Sequence, residues 1–343
     1  MKRKIFTILI ILGLILSAGL LFVYNWFNEM LQPPADSGIS SEKIVLVPKG
    51  TSTAGIANIL KEQGLIRSSG AFRVYTYYRG LESSLQAGEF SLKTGMTVPD
   101  IVNLLAYGET VSLTFTIPEG YNLTQIADRL AEMKLADRNR FLKAAETADF
   151  DYDFLKGIPK GPGRLEGYLF PDTYRITKDK TEKEIIAMML KRFSREITPE
   201  FKANAAKVGL TIHEAVIMAS IIEREAQKDE ERPKVSAVFL NRLNKGWKLE
   251  SCATVQYALG KQKARLLNKD LEVDSPYNTY KYYGLPPGPI ASPGSASLKA
   301  AVSPADVGFM FFVVSEDGRH VFSRTLNEHN RNKALYLNSI KTP

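Results

Sequence analysis

A glutamate at position 225 lies on the apolar face of a predicted helix. The periodicity predicts this helix over residues 213–227, with Thr211 as its N-cap and Glu214 as the capping-box partner. The apolar stripe that Glu225 continues consists of Ile217, Met218, Ile221 and Ile222. A carboxyl group in an apolar setting loses hydration, which raises its pKa and keeps it protonated as a general acid. A half-buried glutamate paired with Arg or Lys fits the same pattern, so both interpretations stay open.

Cleavage of a glycosidic bond is the chemistry that such an acid suits, because an acid must protonate the leaving oxygen. Two carboxylates usually share this work, but Glu223 lies two positions from Glu225 on a helix and points away from it. Glu166, Asp172 and Asp274 are other candidates, and the sequence places none of them opposite Glu225. A mechanism with one carboxylate is also open, in which Glu225 acts as acid and then as base while a substrate hydroxyl attacks.

Aromatic and amide side chains are the further candidates for substrate contact. The aromatic group consists of Tyr168, Phe170, Tyr174, Tyr257, Tyr277, Tyr280, Tyr282 and Tyr283. Their faces can stack on sugar rings, although packing in a core would account for about half of them. Asn278 and Thr279 lie on a predicted loop, which favours substrate contact. Asn241 and Arg242 lie in an apolar helix, where structural hydrogen bonds are an equal alternative.

Composition excludes several other classes of function. The net charge of +8 is spread along the chain without a dense basic block, so the sequence predicts no nucleic-acid partner. Cys252 is the only cysteine, which excludes an internal disulfide and a cysteine-based metal cluster. The three histidines lack metal-ligand spacing, and Ser220 has no suitable base for a serine hydrolase. We therefore expect no metal and no cofactor.

The N-terminal segment predicts a membrane anchor. Residues 5–25 are almost entirely apolar and long enough to cross a bilayer as a helix. Three basic residues precede this segment, so the positive-inside rule places residues 1–4 in the cytoplasm and exports the remainder. The small residues at positions 17–19 also fit a cleaved signal peptide, but the apolar run continues past them, which favours a retained anchor. Residues 26–42 are predicted to be a linker.

Residues 43–150 contain a strand–turn–helix pattern three times. Each turn ends in a glycine, at Gly50, Gly95 and Gly120, and apolar residues follow six and ten positions later. Those apolar residues are Ile56, Leu60, Ile101, Leu105, Ile126 and Leu130. Candidate helix caps are Thr53, Thr97 and Thr124. The pattern predicts α+β modules packed side by side, which either bind a ligand or act as a spacer.

Residues 151–343 are predicted to form a second, mostly helical α+β domain. Helices are expected over residues 182–196, 199–208, 213–227, 231–245 and 325–340. Five prolines and three glycines make residues 274–294 a long loop. Two strands, at residues 309–315 and 320–323, are expected to be joined by a turn at residues 316–318.

Several motifs together resemble the endolytic murein transglycosylases of the YceG-like family. These motifs are Met218-Ala-Ser-Ile-Ile-Glu-Arg-Glu225, Leu165-Glu-Gly-Tyr-Leu-Phe-Pro-Asp-Thr-Tyr174, Val238-Phe-Leu-Asn-Arg-Leu243, Tyr277-Asn-Thr-Tyr280, Gly284-Leu-Pro-Pro-Gly288, Ile290-Ala-Ser-Pro-Gly294 and the stretch from Phe322 to Asn330. The resemblance spans essentially the whole chain. It implies an enzyme anchored in the cytoplasmic membrane that cleaves nascent peptidoglycan strands internally, between N-acetylmuramic acid and N-acetylglucosamine.

The resemblance also implies that a 1,6-anhydro-muramic end forms, that Glu225 is the catalytic residue, and that peptidoglycan synthases are partners. It identifies residues 43–150 as LysM-like and residues 151–343 as the catalytic domain. Supporting or substrate-binding roles are predicted for Glu223, Ser220, Glu166, Tyr168, Asp172, Asn241, Arg242, Thr254, Gln256, Tyr277, Asn278 and Thr279.

One departure from the resemblance bears on the mechanism. Some relatives carry Asp-Pro-Thr where this chain has Cys252, Ala253 and Thr254, so an acidic second residue is lacking at that place. The departure favours the mechanism with one glutamate. Two alternatives stay open: an anchored, non-catalytic scaffold that binds peptidoglycan for the synthases, and a muramidase that hydrolyses the bond.

Overall fold

The computed structural model describes residues 2–34, 41–108, 113–177, 180–263, 266–315 and 318–339. The chain forms two compact units, residues 1–114 with 175–179, and residues 115–174 with 180–343. Both units mix helices with short two-stranded sheets, which agrees with the predicted α+β class.

The first unit begins with α1 (Lys2–Met30), which is longer than the predicted span of 5–25. An 18-residue stretch within residues 10–30 of α1 has a mean hydropathy of 2.0, and α1 is the one unbroken helix within the described ranges that could cross a membrane. Its end does not lead directly into a free linker. Leu31 is buried in the core of the unit, and the backbone N–H of Val98 donates to its carbonyl at 2.9 Å. Residues 26–34 thus belong to the folded unit, whereas 35–40 lie outside the described residues.

The rest of the first unit consists of β1 (Glu42–Val47), α2 (Thr53–Glu62), α3 (Ser69–Tyr78), β2 (Gly88–Lys93) and α4 (Val98–Tyr107). Strands β1 and β2 pair antiparallel, with Val45 opposite Phe90. The buried residues of both strands share one hydrophobic core with Ile56, Leu60, Ile101 and Leu105. The first two repeats therefore form a single core instead of two modules side by side, because neither strand has another partner among the described residues.

The helix of the third repeat belongs to the second unit, whereas its strand crosses the boundary between the units at residues 114 and 115. Its strand β3 (Leu113–Thr116) pairs with β4 (Thr173–Ile176), and its helix α5 (Leu123–Glu132) packs against α6 (Arg138–Thr147). The boundary between the compact units thus falls at residue 114, whereas the sequence places it at 150.

All six apolar positions that follow the turn glycines are buried, and the three glycines have φ of +78°, +106° and +77°. The caps are Ser52, Thr97 and Asn122, so only Thr97 agrees with the prediction.

The other elements of the second unit follow the predicted helical pattern closely. They are α7 (Glu182–Phe193), α8 (Pro199–Lys207), α9 (Ile212–Glu225), α10 (Arg232–Asn244), α11 (Cys252–Ala258), α12 (Ser295–Val302), β5 (Phe311–Val314), β6 (His320–Ser323) and α13 (Leu326–Ser339). Helices α11 and α12 have no counterpart in the prediction. Residues 274–294 contain no helix or strand, as expected. The predicted turn at 316–318 falls on residues 316 and 317, which lie outside the described residues.

Helix α9 forms the centre of the second unit. Thr211 and Glu214 make the predicted capping box. Residues 215–222 are all buried, so α9 is enclosed on every side, which is typical of a core helix. Helices α8, α10, α11 and α12 pack around it.

The aromatic cluster beside α9 includes Tyr168, a predicted substrate contact. The ring of Tyr168 is fully buried, stacks on Phe154 and packs edge-on against Phe193. Its hydroxyl lies 2.6 Å from Nδ1 of His213. Tyr168 is therefore a core residue, because packing against other aromatic rings leaves no face of its ring for a sugar.

Gly167 provides a test of how this segment is held. It has φ +82°, and a Cβ at this position would collide with the ring of Pro289 in the proline-rich loop. Gly163 has a similar φ of +75° but open space around it. We expect Gly163→Ala to cost about 1–2 kcal/mol of unfolding free energy, from backbone strain alone. Gly167→Ala adds the collision and should cost at least about 3 kcal/mol.

Urea unfolding followed by tryptophan fluorescence measures both free energies in the same protein. Equal losses in the two variants would contradict the close approach of Pro289 to Gly167.

Candidate active site

Glu225 is the last residue of α9, because the backbone of Ala226 leaves the helical region with ψ of 121°. The carboxylate is half-buried, and its Oε1 accepts hydrogen bonds from Ser251 Oγ at 2.5 Å and from Ala253 N at 3.3 Å. Across the described part of the chain, neither Lys nor Arg forms an ion pair with Glu225. The described residues therefore do not bear out the alternative of a glutamate paired with a basic residue. Both contacts of Glu225 come from one short segment, which orients Oε1 and leaves Oε2 for another ligand.

The segment that contacts Glu225 is held by two threonines. Ser251 N donates to Thr279 Oγ1 at 3.0 Å, and Thr254 Oγ1 donates to the Ser251 carbonyl at 2.8 Å. The hydroxyls of Thr254 and Thr279 lie 2.8 Å apart. Both threonines are predicted site residues, and both are buried. They lie beneath Ser251 instead of facing a substrate, so their contribution is to fix the donor of Glu225.

Arg242 holds the chain just before Ser251. Its guanidinium donates to the carbonyls of Leu249 at 3.0 Å and Met310 at 2.8 Å, and to the Glu250 carboxylate at 3.0 Å. Asn241 donates to the carbonyls of Val307 and Phe309, both at 2.9 Å. These hydrogen bonds agree with the structural alternative for both residues, and substrate contact stays a prediction.

Asn278 and Ser220 also have structural contacts. The amide of Asn278 donates to the carbonyls of Leu271 at 2.9 Å and Val273 at 2.8 Å, and the side chain is fully buried. It fixes the proline-rich loop and is not available to a substrate. Ser220 Oγ donates to the Ile217 carbonyl at 2.7 Å and accepts from Ile290 N at 3.0 Å. These contacts hold both side chains in place within the unit, and the roles predicted for them at the site stay predictions.

Glu223 is engaged away from Glu225. Its carboxylate pairs with buried Arg232 at 3.2 Å and accepts from Gly294 N at 2.9 Å. A Cβ at position 294 would meet the carboxylate end of the Glu119 side chain, which would have to move aside. Glu223 thus joins α9 to α10 and to the start of α12, and its supporting role at the site stays a prediction.

The other predicted acidic partners are engaged as well. Asp172 pairs with Arg192 at 2.5 Å, and the Arg192 guanidinium lies over the Phe170 ring. Asp274 pairs with Lys281 at 3.1 Å and accepts from the Tyr282 hydroxyl at 2.8 Å. Both carboxylates thus have partners other than Glu225, and a role as second catalytic carboxylate stays a prediction for each.

Glu166 has an unusual environment for a carboxyl group. It is only 4% exposed, accepts from Leu123 N at 3.0 Å and from the Tyr257 hydroxyl at 3.1 Å. Burial raises the pKa of Glu166 to about 7, although these hydrogen bonds act in the opposite direction. The Tyr257 ring lies 4.8 Å from that of Tyr277, and burial raises the pKa of both phenols.

A polar cleft of about 480 Å³ opens beside Glu166 in the second unit. Among the predicted residues it is lined by Glu166 and by Gln256, whose Oε1 accepts from Lys263 N at 3.1 Å. Ala253, whose N–H contacts Glu225, also lines it. No cluster of three His, Cys, Asp or Glu that could hold a metal occurs in the described ranges.

The sequence did not single out Ser251 or the residues of α5 that line the cleft. Ser251 directly precedes the departure at Cys252 and Ala253, which is a signal that could have identified it. Thr124 was considered only as a helix cap, yet it lines the cleft. These residues were missed because their relation to Glu225 arises from tertiary packing.

The raised pKa of Glu166 predicts a pH dependence of stability. The folded protein holds this proton up to about pH 7, whereas the unfolded chain releases it near pH 4.5. The folded state therefore binds more protons in that window, and stability falls as the pH rises through it, by at most about 3 kcal/mol. Glu166→Gln removes this contribution, so unfolding free energies at pH 5, 6, 7 and 8 should decline less in the variant than in the wild type.

Glu200→Gln, at an exposed position of α8, is the matched control and should follow the wild type. Parallel pH profiles for wild type and Glu166→Gln would contradict the buried neutral carboxyl group.

Comparison with known proteins is consistent with this arrangement. The chain is 36% identical over 326 residues to a Bacillus subtilis protein named endolytic murein transglycosylase, covering 91% of this chain and 90% of the relative. A protein of the same name from Streptococcus pneumoniae is 32% identical, with 98% of this chain and 66% of the relative covered. The crystal structure of a YceG-like protein from Listeria monocytogenes is 35% identical, with a TM-score of 0.57 over 85% of this chain and 99% of that one. The model of the YceG-like family matches residues 45–335, and the chain belongs to this family.

Proposed function

We propose that this protein is a lytic transglycosylase that cleaves peptidoglycan strands internally, with Glu225 as its catalytic acid and base. The observation that carries the proposal is the geometry of Glu225, a half-buried carboxylate at a helix end that is oriented by Ser251 and Ala253 and lacks a basic partner among the described residues. The names of the relatives from Bacillus subtilis and Streptococcus pneumoniae support the same activity.

The reaction follows from one carboxyl group that changes its protonation state. Protonated Glu225 donates its proton to the glycosidic oxygen as the bond from C1 of N-acetylmuramic acid to the leaving N-acetylglucosamine breaks. The resulting carboxylate then accepts the proton of the C6 hydroxyl of the same muramic residue, whose oxygen bonds to C1. Glu225 is protonated again, no water is consumed, and the product ends in a 1,6-anhydro ring.

The engagement of the other carboxylates supports this mechanism over one with two acids. Glu166, Asp172 and Asp274 each accept hydrogen bonds or pair with a cation. Cys252 and Ala253 provide no carboxylate beside Glu225. A substrate hydroxyl is therefore the nucleophile that we propose.

Membrane attachment is part of the proposal. Helix α1 has the length and hydropathy of a single span, and Lys2, Arg3 and Lys4 precede its apolar part. By the positive-inside rule we place the N-terminus in the cytoplasm and both units on the outer side of the cytoplasmic membrane. There the enzyme would terminate nascent strands, with peptidoglycan synthases as partners. We also retain as a proposal that the first unit is LysM-like and contacts glycan.

The products of wild type and Glu225→Gln test this function. Mass spectrometry of purified glycan strands incubated with the full-length protein should show internal fragments with 1,6-anhydro-muramic ends for the wild type. We expect Glu225→Gln to lower the rate of their formation at least about 100-fold, because an amide cannot donate the proton. Glu200→Gln, an exposed carboxylate on α8, is the control and should retain activity.

Products with ordinary reducing ends would contradict the lytic mechanism and favour a muramidase. Intact strands from the wild type, or equal activity in Glu225→Gln, would contradict the proposed role of Glu225 and favour a scaffold.

A further inference from the structure

Folded structure occupies the place between α1 and the first unit where the sequence predicts a linker. Phe27 and Met30, in the last turn of α1, pack against the hydrophobic core of the unit, and Leu31 is buried in that core. The Leu31 carbonyl accepts a hydrogen bond from the backbone N–H of Val98 at 2.9 Å. The end of α1 is therefore joined to the unit without a free segment between them.

Arg67, in the connection between α2 and α3, holds the same junction. Its Nε donates to the Pro33 carbonyl at 2.7 Å, and its guanidinium pairs with the Glu29 carboxylate of α1 at 3.4 Å. These two contacts lie on either side of Leu31 along the chain. Together with the packing of Leu31 in the core, they fix the direction in which α1 leaves the unit.

Trp26 defines the level of the membrane surface. Its side chain is 51% exposed at the end of the apolar run, and a tryptophan at the end of a span lies at the level of the lipid headgroups. A helix rises 1.5 Å per residue, so Leu31 lies about 7.5 Å beyond Trp26 along the axis of α1. The polar layer of a bilayer is about 5–8 Å thick on each side. The core that encloses Leu31 therefore begins at the outer edge of that layer.

Two connections of the first unit lie beside the end of α1. Arg67 belongs to the connection between α2 and α3, and Val98 directly follows the connection between β2 and α4. We call residues 61–68 and 93–97 the proximal end of the unit. Because α1 is joined to these connections, the proximal end is the part of the unit that α1 brings nearest to the bilayer.

The proximal end has a polar surface that suits phospholipid headgroups. Lys61 and Lys93 are exposed there and form no ion pair within the described ranges. An ammonium group provides three hydrogen-bond donors, and the phosphate of a lipid headgroup accepts them. Glu62 is exposed beside Lys61, so the surface carries charges of both signs. Recognition of the phosphate group, which all phospholipids share, therefore fits this surface better than attraction by net positive charge.

We propose that the proximal end of the first unit contacts phospholipid headgroups through Lys61 and Lys93, and that residues 27–33 hold it there as a rigid extension of α1. This inference rests on the membrane attachment that is part of the proposed function. It goes further, because a unit on a free linker would present no defined face to the bilayer. It gives the first unit a surface for lipid, separate from the catalytic unit.

Quenching of a fluorescent label by nitroxide lipids tests the contact in the full-length protein. Cys252→Ser removes the native thiol, and Lys61→Cys or Lys49→Cys supplies a single labelling position. Both lysines are exposed, and they lie at opposite ends of α2, which is about 15 Å long. In phosphatidylcholine vesicles with nitroxide on the headgroup, the label at position 61 should be quenched at least about twofold more strongly than the matched label at position 49.

A pair of insertions tests whether the connection is rigid. Ten Gly/Ser residues between Asn25 and Trp26 separate α1 from the unit by a flexible chain with an average span of about 17 Å. Quenching at position 61 should then fall to the level at position 49. The same insertion between residues 37 and 38, which lie outside the described residues, is the control and should leave quenching unchanged, because residues 27–33 stay attached. Thermal melting verifies that each variant is folded.

A third label separates the inference from the membrane attachment on which it rests. Ile15→Cys places the label within α1, and nitroxide on the acyl chains should quench it if α1 spans the bilayer. Quenching at position 15 with equal signals at positions 61 and 49, or with equal effects of the two insertions, would overturn only the inference. The absence of quenching at position 15 would refute the membrane attachment as well. Formation of anhydro products tests the enzymatic part of the proposed function independently.

Discussion

The proposed active site depends on the hydrogen-bonded connection between the end of α9 and the start of α11. Glu225 lies at the last position of a buried helix, and its orientation depends on Ser251 and Ala253, which are 26 and 28 residues away in sequence. A helix whose residues 215–222 are all buried thus positions one end of the connection, and a network of threonines, with Arg242 nearby, positions the other. A carboxylate on a mobile loop could not keep the alignment that proton transfer requires.

Most of the polar residues predicted for the site have this supporting role. Arg242 and Asn241 hold the chain before Ser251, and Asn278 holds the proline-rich loop, while Thr254 and Thr279 lie beneath the donor of Glu225. Each bonds to backbone groups or to another side chain. The motifs that resemble the family therefore contain many residues that hold the architecture around Glu225.

The sequence predicted the position of helices and of buried residues where local periodicity determines them. The spacing of Thr211, Glu214 and the apolar residues located α9 and singled out Glu225, and the six apolar positions after the turn glycines are all buried. The sequence was uninformative where pairing occurs over long distances. The third repeat resembles the first two locally, yet β3 pairs with β4, and the contact between Thr116 and Thr173 spans 57 residues. The sequence could not show whether Tyr168 packs in the core or contacts a substrate, because an aromatic ring suits both settings.

The central claim is that one carboxylate and a substrate hydroxyl suffice for cleavage. Digestion of purified glycan strands by the full-length protein in water enriched in ¹⁸O tests this claim most directly. The account predicts new ends that carry the 1,6-anhydro ring and contain no ¹⁸O, because the C6 oxygen of the sugar attacks C1. Incorporation of one ¹⁸O atom at the new muramic end would show that water is the nucleophile and would contradict the account.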